Sequence, residues 1–441
     1  MNSIITTQSN LPTKHSGNSS AIHVIDISSE AEKWISQLEL VKNVEKAPKL
    51  LQKSAGNSSC CIFKVPQALT QINEKAYQPH AVSIGPYHHG SEHLEMIQQH
   101  KWRFLGSILN RTKNQGVGLK EFFKAVAPQE DKIRECYSEF IEFSSHKLVE
   151  IMVLDGCFII ELLFIVGKLV PANHDDPIFS MEWILSHLMR DLLRLENQIP
   201  FIVLQSLFDL IKVAHQDSRS LTELALEFFD YSIDRPIEVL IQYKDMKWKH
   251  LLDLFRLTFV PPPDFKYLLD KLAERSASNE DERDRFLQSI QPAMKLRRSG
   301  IKFEQRKSDS FLDIKFSHGV LSIPALTIDD FATIFLLNWV AFEQCYRHCN
   351  KYITSYVAFM CRLINTPEDA GYLSDHDIIE NSYGTDDEVA KFFNDMEFKH
   401  IYFDSPWSFV SAMAALFLLL LTVTQTFFGV YPYAFPSKQN N

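Results

Sequence analysis

The sequence predicts a mainly α protein, with a large helical body, a small antiparallel β-sheet and one C-terminal transmembrane helix. Three observations predict this class. Apolar residues form 46% of the 441 and charged residues 23%, with 33 phenylalanines to fill a core. Apolar positions recur at helical spacing through most of the chain, with proline and polar turns between them. Near the carboxyl end, the 33 residues Ser405 to Ser437 hold no charge.

Taken in order, residues 1–58 are a polar tail with one helix. The helix reading rests on Trp34, Ile35, Leu38 and Val41 at helical spacing, ended by Pro48. Residues 59–396 are the body, which opens with a short extended piece, "CIFKVP". The stretch "VSIGPYHHGSEHLEMIQQHK" packs four histidines and two glutamates into twenty residues. Gly85, Pro86 and Gly90 predict a turn and Ser91 an N-cap, followed by a helix with Leu94, Ile97, Phe104, Leu105 and Ile108 on one face. His93 and His100 share a side of that helix, but about 10.5 Å of rise separates their backbones, too far for one ion. Turn and helix cap are the reading for this stretch; the competing one is a metal or catalytic site.

"IMVLDGCFIIELLFIVG", from Ile151 to Gly167, holds eleven Leu, Ile, Phe or Val. Asp155 and Glu161 would each cost roughly 2.5–3.5 kcal/mol in a bilayer, which cancels that gain, so the run predicts a core helix. Within residues 300–328, Leu312, Ile314 and Phe316 alternate with polar residues, Ser317 to Gly319 make a turn, and Val320 to Ile323 return beside them. With Ile301 to Gln305 this predicts a three-stranded antiparallel sheet. Thr366, Pro367 and Asp369, and Thr385 with Glu388, read as helix starts.

Residues 397–404 form a short juxtamembrane linker, residues 405–431 the transmembrane helix, and residues 432–441 a short tail. The anchor would comprise Trp407, Phe409, Val410, Leu416, Phe417, Leu418, Leu419, Leu420, Leu421, Val423, Phe427, Phe428 and Tyr431. About 20 such residues cross the hydrocarbon, with Trp407 and Tyr431 at interfacial positions. A span so near the end predicts a single-pass, tail-anchored protein with its body in the cytosol and the lipid bilayer as one partner. Neither the plasma membrane nor an endomembrane is singled out.

Composition also excludes function classes. Glycine is scarce, 14 in 441, and G-x-x-x-x-G-K-[ST], G-x-G-x-x-G and G-x-S-x-G are all missing, which disfavours nucleotide binding and a serine nucleophile elbow. The formal charge of -10 disfavours a nucleic-acid partner. Seven irregularly spaced cysteines suit a reducing compartment.

No cofactor, metal or catalytic residue is assigned. "EQCYRHC" places Cys345 and Cys349 four residues apart with His348 beside them, but no second pair completes a zinc site. Cys60 and Cys61 read as flanking a strand. Asp155, Glu161, Asp191, Glu196 and Glu343 lie in apolar helical text. Each could be a general acid with a raised pKa, or could accept hydrogen bonds from a neighbouring element, the commoner use. A di-iron bundle needs two Glu-x-x-His pairs, and only Glu397 and His400 supply one.

Several phrases in one order carry a resemblance: "VPQALTQINEKAYQPHAVSIGPYHHG", "MVLDGCFIIELL", "RDLLRLENQIPFIVL", "FLDIKFSHGVLSIPALTIDD", "NWVAFEQC" and "SPWSFVSAMAALFLLLLTVTQTF". The chain resembles, from about Ile62 to Tyr431, a plant family known as domain of unknown function 247. The resemblance implies a largely helical plant protein with one C-terminal membrane span, and it supplies no active site. Some grass relatives are associated with pollen self-incompatibility, which implies recognition or signalling. Relatives place a longer basic, tryptophan-containing segment where this chain has only Met396 to Asp404.

Two functions follow. One is a protein-interaction or recognition module with an unidentified protein partner. The alternative is a membrane-associated hydrolase using His88, His89 or His93 with Glu92, Glu95 or a buried carboxylate. The hydrolase requires those groups to converge within about 3 Å of a common atom.

Overall fold

In the computed structural model, the apolar run around Ile151 is the axis of the body. The structure describes residues 54–71, 73–172, 175–212, 217–230, 243–244, 246–260, 290–382 and 384–403, all within one unit that begins near residue 51. Short helices α1 (Gln67–Thr70) and α2 (Glu74–Tyr77) lead into α3 (Glu95–Thr112), α4 (Leu119–Val126) and α5 (Glu130–Glu135). The axial helix, α6 (Ser145–Val166), follows. It starts where the Ser144 hydroxyl accepts the Lys147 N–H. Every residue from Ile151 to Phe164 is buried, as expected of a helix apolar on all sides. Helices α3 and α4 pack around it, joined by α9 (Phe201–Lys212) and α10 (Leu221–Asp230). Between α6 and α9 lie α7 (Pro177–Ser180) and α8 (Glu182–Asp191).

The two buried acids of α6 are neutralised by α3. Lys101 Nζ meets Asp155 Oδ1 at 2.5 Å with both side chains buried. Arg111 forks onto both oxygens of Glu161, the Nη1–Oε1 arm at 2.8 Å. A carboxylate that cannot enter lipid is here the means by which the core helix fixes its neighbour.

Downstream, α11 (Leu251–Leu257) and α12 (Ala293–Arg298) precede the strands, and α13 (Asp330–Cys345), α14 (Tyr352–Leu363), α15 (Pro367–Ser374) and α16 (Asp386–Phe403) follow them. An aromatic cluster joins α11 to α13, with the Phe255, Phe259 and Phe335 rings 5.2, 5.3 and 4.6 Å from Trp339. The expected helix starts are present. Thr366 and Asp369 form a reciprocal capping box with Pro367 in the first turn, and the Thr385 hydroxyl accepts the Glu388 N–H at 3.3 Å.

The sheet differs from the sequence expectation. Strands β1 (Lys302–Arg306), β2 (Lys315–Ser317) and β3 (Val320–Pro324) run in the order β1-β3-β2. β2 and β3 are antiparallel, with Phe316 opposite Leu321, because His318 and Gly319 both take left-handed φ, 51° and 78°, in the turn between them. β1 instead runs parallel to β3, Phe303 opposite Leu321. The chain passes through β2 before returning, so β1 takes the opposite edge of β3 and the sheet is mixed. A second, two-stranded parallel pair, β4 (Leu326–Ile328) with β5 (Ile379–Asn381), is additional.

The transmembrane helix must also be corrected. Among the described residues no helix is long and apolar enough to cross a membrane, and the longest apolar one, α6, spends its acids on ion pairs inside the body. The anchor Trp407, Phe409, Val410, Leu416 to Leu421, Val423, Phe427, Phe428 and Tyr431 lies outside the described residues, as does the N-terminal helix around Trp34. The fold class is mainly α with small sheets, and the membrane, single-pass and transmembrane descriptions are withdrawn from it.

Candidate functional site

The segment from Cys60 to Gly90 contains little regular structure, yet much of its backbone is buried. Its polar groups are met by side chains from the end of α8, the stretch after it and α6. Both Asp191 oxygens accept the His80 N–H at 3.0 Å, and Oδ2 also takes Ala81 N–H at 2.6 Å and Val82 N–H at 2.9 Å. Arg194 bridges Asp191 at 3.0 Å and donates to the Ala76 carbonyl at 2.7 Å. Asn197 accepts the Ile84 N–H at 2.7 Å and donates to the Val82 carbonyl at 3.0 Å. Asp155 takes the Gly85 N–H at 2.8 Å. Gly85 has φ 75°, and a Cβ there would stand 2.5 Å from the Gln198 carbonyl oxygen, so only glycine fits. A buried loop without strand partners needs such side chains, since each unpaired amide costs about 1–3 kcal/mol.

The five candidate carboxylates therefore hold structure. Besides Asp155, Glu161 and Asp191, Glu343 accepts the Ile353 and Thr354 N–H groups at 3.3 and 2.8 Å, at the start of α14, and pairs with Arg256 at 3.2 Å. Burial nevertheless raises the Glu343 pKa. Glu196 takes Val65 N–H at 2.8 Å and Lys64 Nζ at 2.7 Å. Burial pushes Glu196 up, but His88 and Lys64 outweigh it and hold the carboxyl below its usual range.

The histidines of the opening stretch diverge. His88 Nε2 lies 3.2 Å from Glu196 Oε2. His89 sits edge-on to Phe143, ring centres 5.5 Å apart. His93 Nε2 donates to the Pro79 carbonyl at 3.2 Å, and His100 Nδ1 receives Arg103 at 2.9 Å. Only His88 meets a carboxylate, and the three expected hydrolase histidines do not converge. Concavities of about 390 and 400 Å³ lie elsewhere, one beside Arg297 and Tyr372, the other beside Lys113 and Glu121. Among the described residues, no group of three or more His, Cys, Asp or Glu could hold a metal ion. Cys345 and Cys349 do not share a helix, because α13 stops at Cys345. Ser91 makes no side-chain cap bond; a 3₁₀ turn, Glu92–Leu94, starts the helix instead.

What the stretch does form is a surface. His80 and His187 approach with ring centres 6.4 Å apart, and Trp183 lies edge-on to His187 at 5.6 Å. Met96, His100 and Arg103 share a stripe of α3 at i, i+4 and i+7. Arg103 crosses to Asp176, at 2.7 Å, and Asp176 caps α7 through the Ile178 N–H at 3.1 Å. Met96, Met181 and Trp183 are exposed, at 51%, 46% and 51%. Guanidiniums donate to Nδ1 of both His80 and His100, which assigns the ring proton to Nε2. Burial first, then the neighbouring arginine, lowers the pKa of each ring, so both are neutral at pH 7. His80, Arg103, Trp183 and His187 were not singled out in sequence. The available signal was Trp183 and His187 at i, i+4 on the outer side of an amphipathic helix.

A UPF0481 protein of Arabidopsis thaliana is 39% identical over 438 residues, covering 90% of this chain and 91% of its own. A putative UPF0481 protein of the same plant is 28% identical over 212 residues, 45% of this chain and 37% of its own. No solved structure matches. A plant family described as being of unknown function, domain of unknown function 247, matches residues 62–399. That range holds the buried loop, the side chains that pair with it and the axial helix, and by this match the chain belongs to that family.

Proposed function

We propose that the protein is a recognition module that binds another protein through the face formed by Met96, His100, Arg103, Met181, Trp183, His187 and His80. The observation that carries this reading is the exposure of Trp183, edge-on to His187, together with the exposed Met96 and Met181 and the ion pair of Arg103 with Asp176. Tryptophan, methionine and arginine are enriched in the buried centres of interfaces, and tryptophan and arginine dominate their energetics. Neutral imidazoles with a free Nε2–H offer hydrogen bonds without the cost of burying a charge. The partner therefore presents apolar side chains to Trp183 and acceptors, such as backbone carbonyls, to the imidazoles. A reducing compartment suits the seven irregularly spaced cysteines.

Trp183→Ala combined with Met181→Ala tests this. Both residues are exposed, so thermal stability should stay within about 0.5 kcal/mol of wild type. Recovery of crosslinked partner from native plant tissue should fall by about tenfold or more, as for loss of an interface anchor. Equal recovery from wild type and variant, or a wild-type body that stays solitary under crosslinking, would remove the reading.

A further inference from the structure

Cys61 and Cys136 meet where the extended chain before α1 runs beside the turn after α5. The Cys61 and Ile62 N–H groups both donate to the Cys136 carbonyl, at 2.9 and 2.8 Å, and Ser138 N–H returns to the Ile62 carbonyl at 2.9 Å. This is a parallel bridge between Ile62 and Tyr137, and it places the two cysteines side by side. The Cys136 thiol donates to the Lys132 carbonyl at 3.2 Å, and the two cysteines are close enough to shift each other's titration. Cys61 is buried, whereas Cys136 is partly open to solvent. We propose that Cys136 and Cys61 are a peroxide-responsive thiol pair, Cys136 the attacking sulfur and Cys61 the resolving one, which closes to a disulfide.

The chemistry assigns the roles. Cys61 beside it, and then Lys249, lower the Cys136 pKa, while Cys136 and burial raise that of Cys61. Burial holds Cys60, Cys345 and Cys349 up at about 12, and Cys157 higher still, so Cys136 is the favoured thiolate among these. Its sulfur attacks hydrogen peroxide, the O–O bond breaks, and a sulfenic acid forms with loss of hydroxide. The Cys61 thiol then attacks that sulfur; an S–S bond replaces the S–O bond, and water departs with the Cys61 proton. Two thiols lose two electrons and one peroxide becomes two waters. The crosslink would fix a junction from which Cys61 O also accepts His250 Nε2 at 2.9 Å. None of the recognition face takes part.

The full-length protein, reduced and then exposed to hydrogen peroxide, would be quenched with N-ethylmaleimide, digested and analysed by mass spectrometry. A Cys61–Cys136 linked peptide, lighter by two hydrogens than its separate parts and lost on dithiothreitol treatment, is expected. Cys61→Ala should leave a Cys136 sulfenic acid that dimedone traps. Three results would each overturn the proposal: Cys136 still fully alkylated after peroxide, Cys136 linked to Cys60 or Cys345 instead, or wild-type Cys136 passing to sulfinic acid without a linked peptide. All are read on the wild-type chain, so none depends on a variant folding or on a partner.

Discussion

Replacing Asp191 with alanine should cost about 3–5 kcal/mol, the usual penalty for breaking a buried charge pair. Asp191 and Arg194 are both fully buried. The carboxylate alone receives three successive backbone N–H groups, from His80, Ala81 and Val82. Its loss leaves these donors unpaired and the Arg194 cation without its counter-charge. Against a typical total of about 5–15 kcal/mol, such a loss leaves the body close to unfolding. Asp191→Asn keeps one acceptor oxygen and should lose less. Asp191→Ala with Arg194→Leu removes the stranded charge and should recover part of the loss. Urea unfolding of the three variants measures this; a loss below about 1 kcal/mol for Asp191→Ala would show that the loop does not depend on the pair.

The second large effect is a dependence of stability on pH through His250. This ring is buried, donates from Nε2 to the Cys61 carbonyl, and accepts the Asp253 N–H at Nδ1, 3.3 Å, as the cap of α11. Burial lowers its pKa from 6.5 to about 4; Asp253 and the Cys61 carbonyl oppose that fall, and Arg256 and Lys249 add to it. In the unfolded chain the ring takes up a proton as pH falls through about 6.5, while in the native protein it does so only near 4. The stability is thus fully present above about 6.5 and is lost as pH falls toward 4. At about 1.4 kcal/mol per unit the full contribution is about 3 kcal/mol, of which about 2 is gone by pH 5. His250→Asn keeps an acceptor for the cap and removes the titration. Between pH 7.5 and 5, wild type should lose about 2 kcal/mol more than this variant, by urea midpoints. Parallel losses in the two proteins would contradict the assignment.

The sequence revealed local order better than long-range pairing. The core helix was legible because eleven apolar residues interrupted by Asp155 and Glu161 suit a core and not lipid. What paired with those acids was not, since Lys101 and Arg111 lie 54 and 50 residues away. The helix starts at Thr366 and Thr385 are set by chemistry three residues apart: Thr366 has its full capping box, and at Thr385 the hydroxyl accepts the Glu388 N–H. The β1 register depends on a return through β2, which alternation in one strand does not encode, so the sheet was expected antiparallel and is mixed. The charge-free run near the carboxyl end suggested a transmembrane helix, and no described helix can cross a membrane. The histidine stretch forms a turn and a helix as read, but with a 3₁₀ turn in place of the Ser91 cap. The face it builds depends on Trp183 and His187, about a hundred residues on, which only the fold brings to His80.

The central claim is that an irregular loop is held as core by buried side chains from residues 191–198. Amide hydrogen exchange on the intact protein tests it most directly. The amides of Ala81, Val82, Ile84 and Gly85, which lie in no helix or strand, should exchange as slowly as those at the centre of α6, through global unfolding. Exchange of these four within minutes while α6 stays protected would contradict the account.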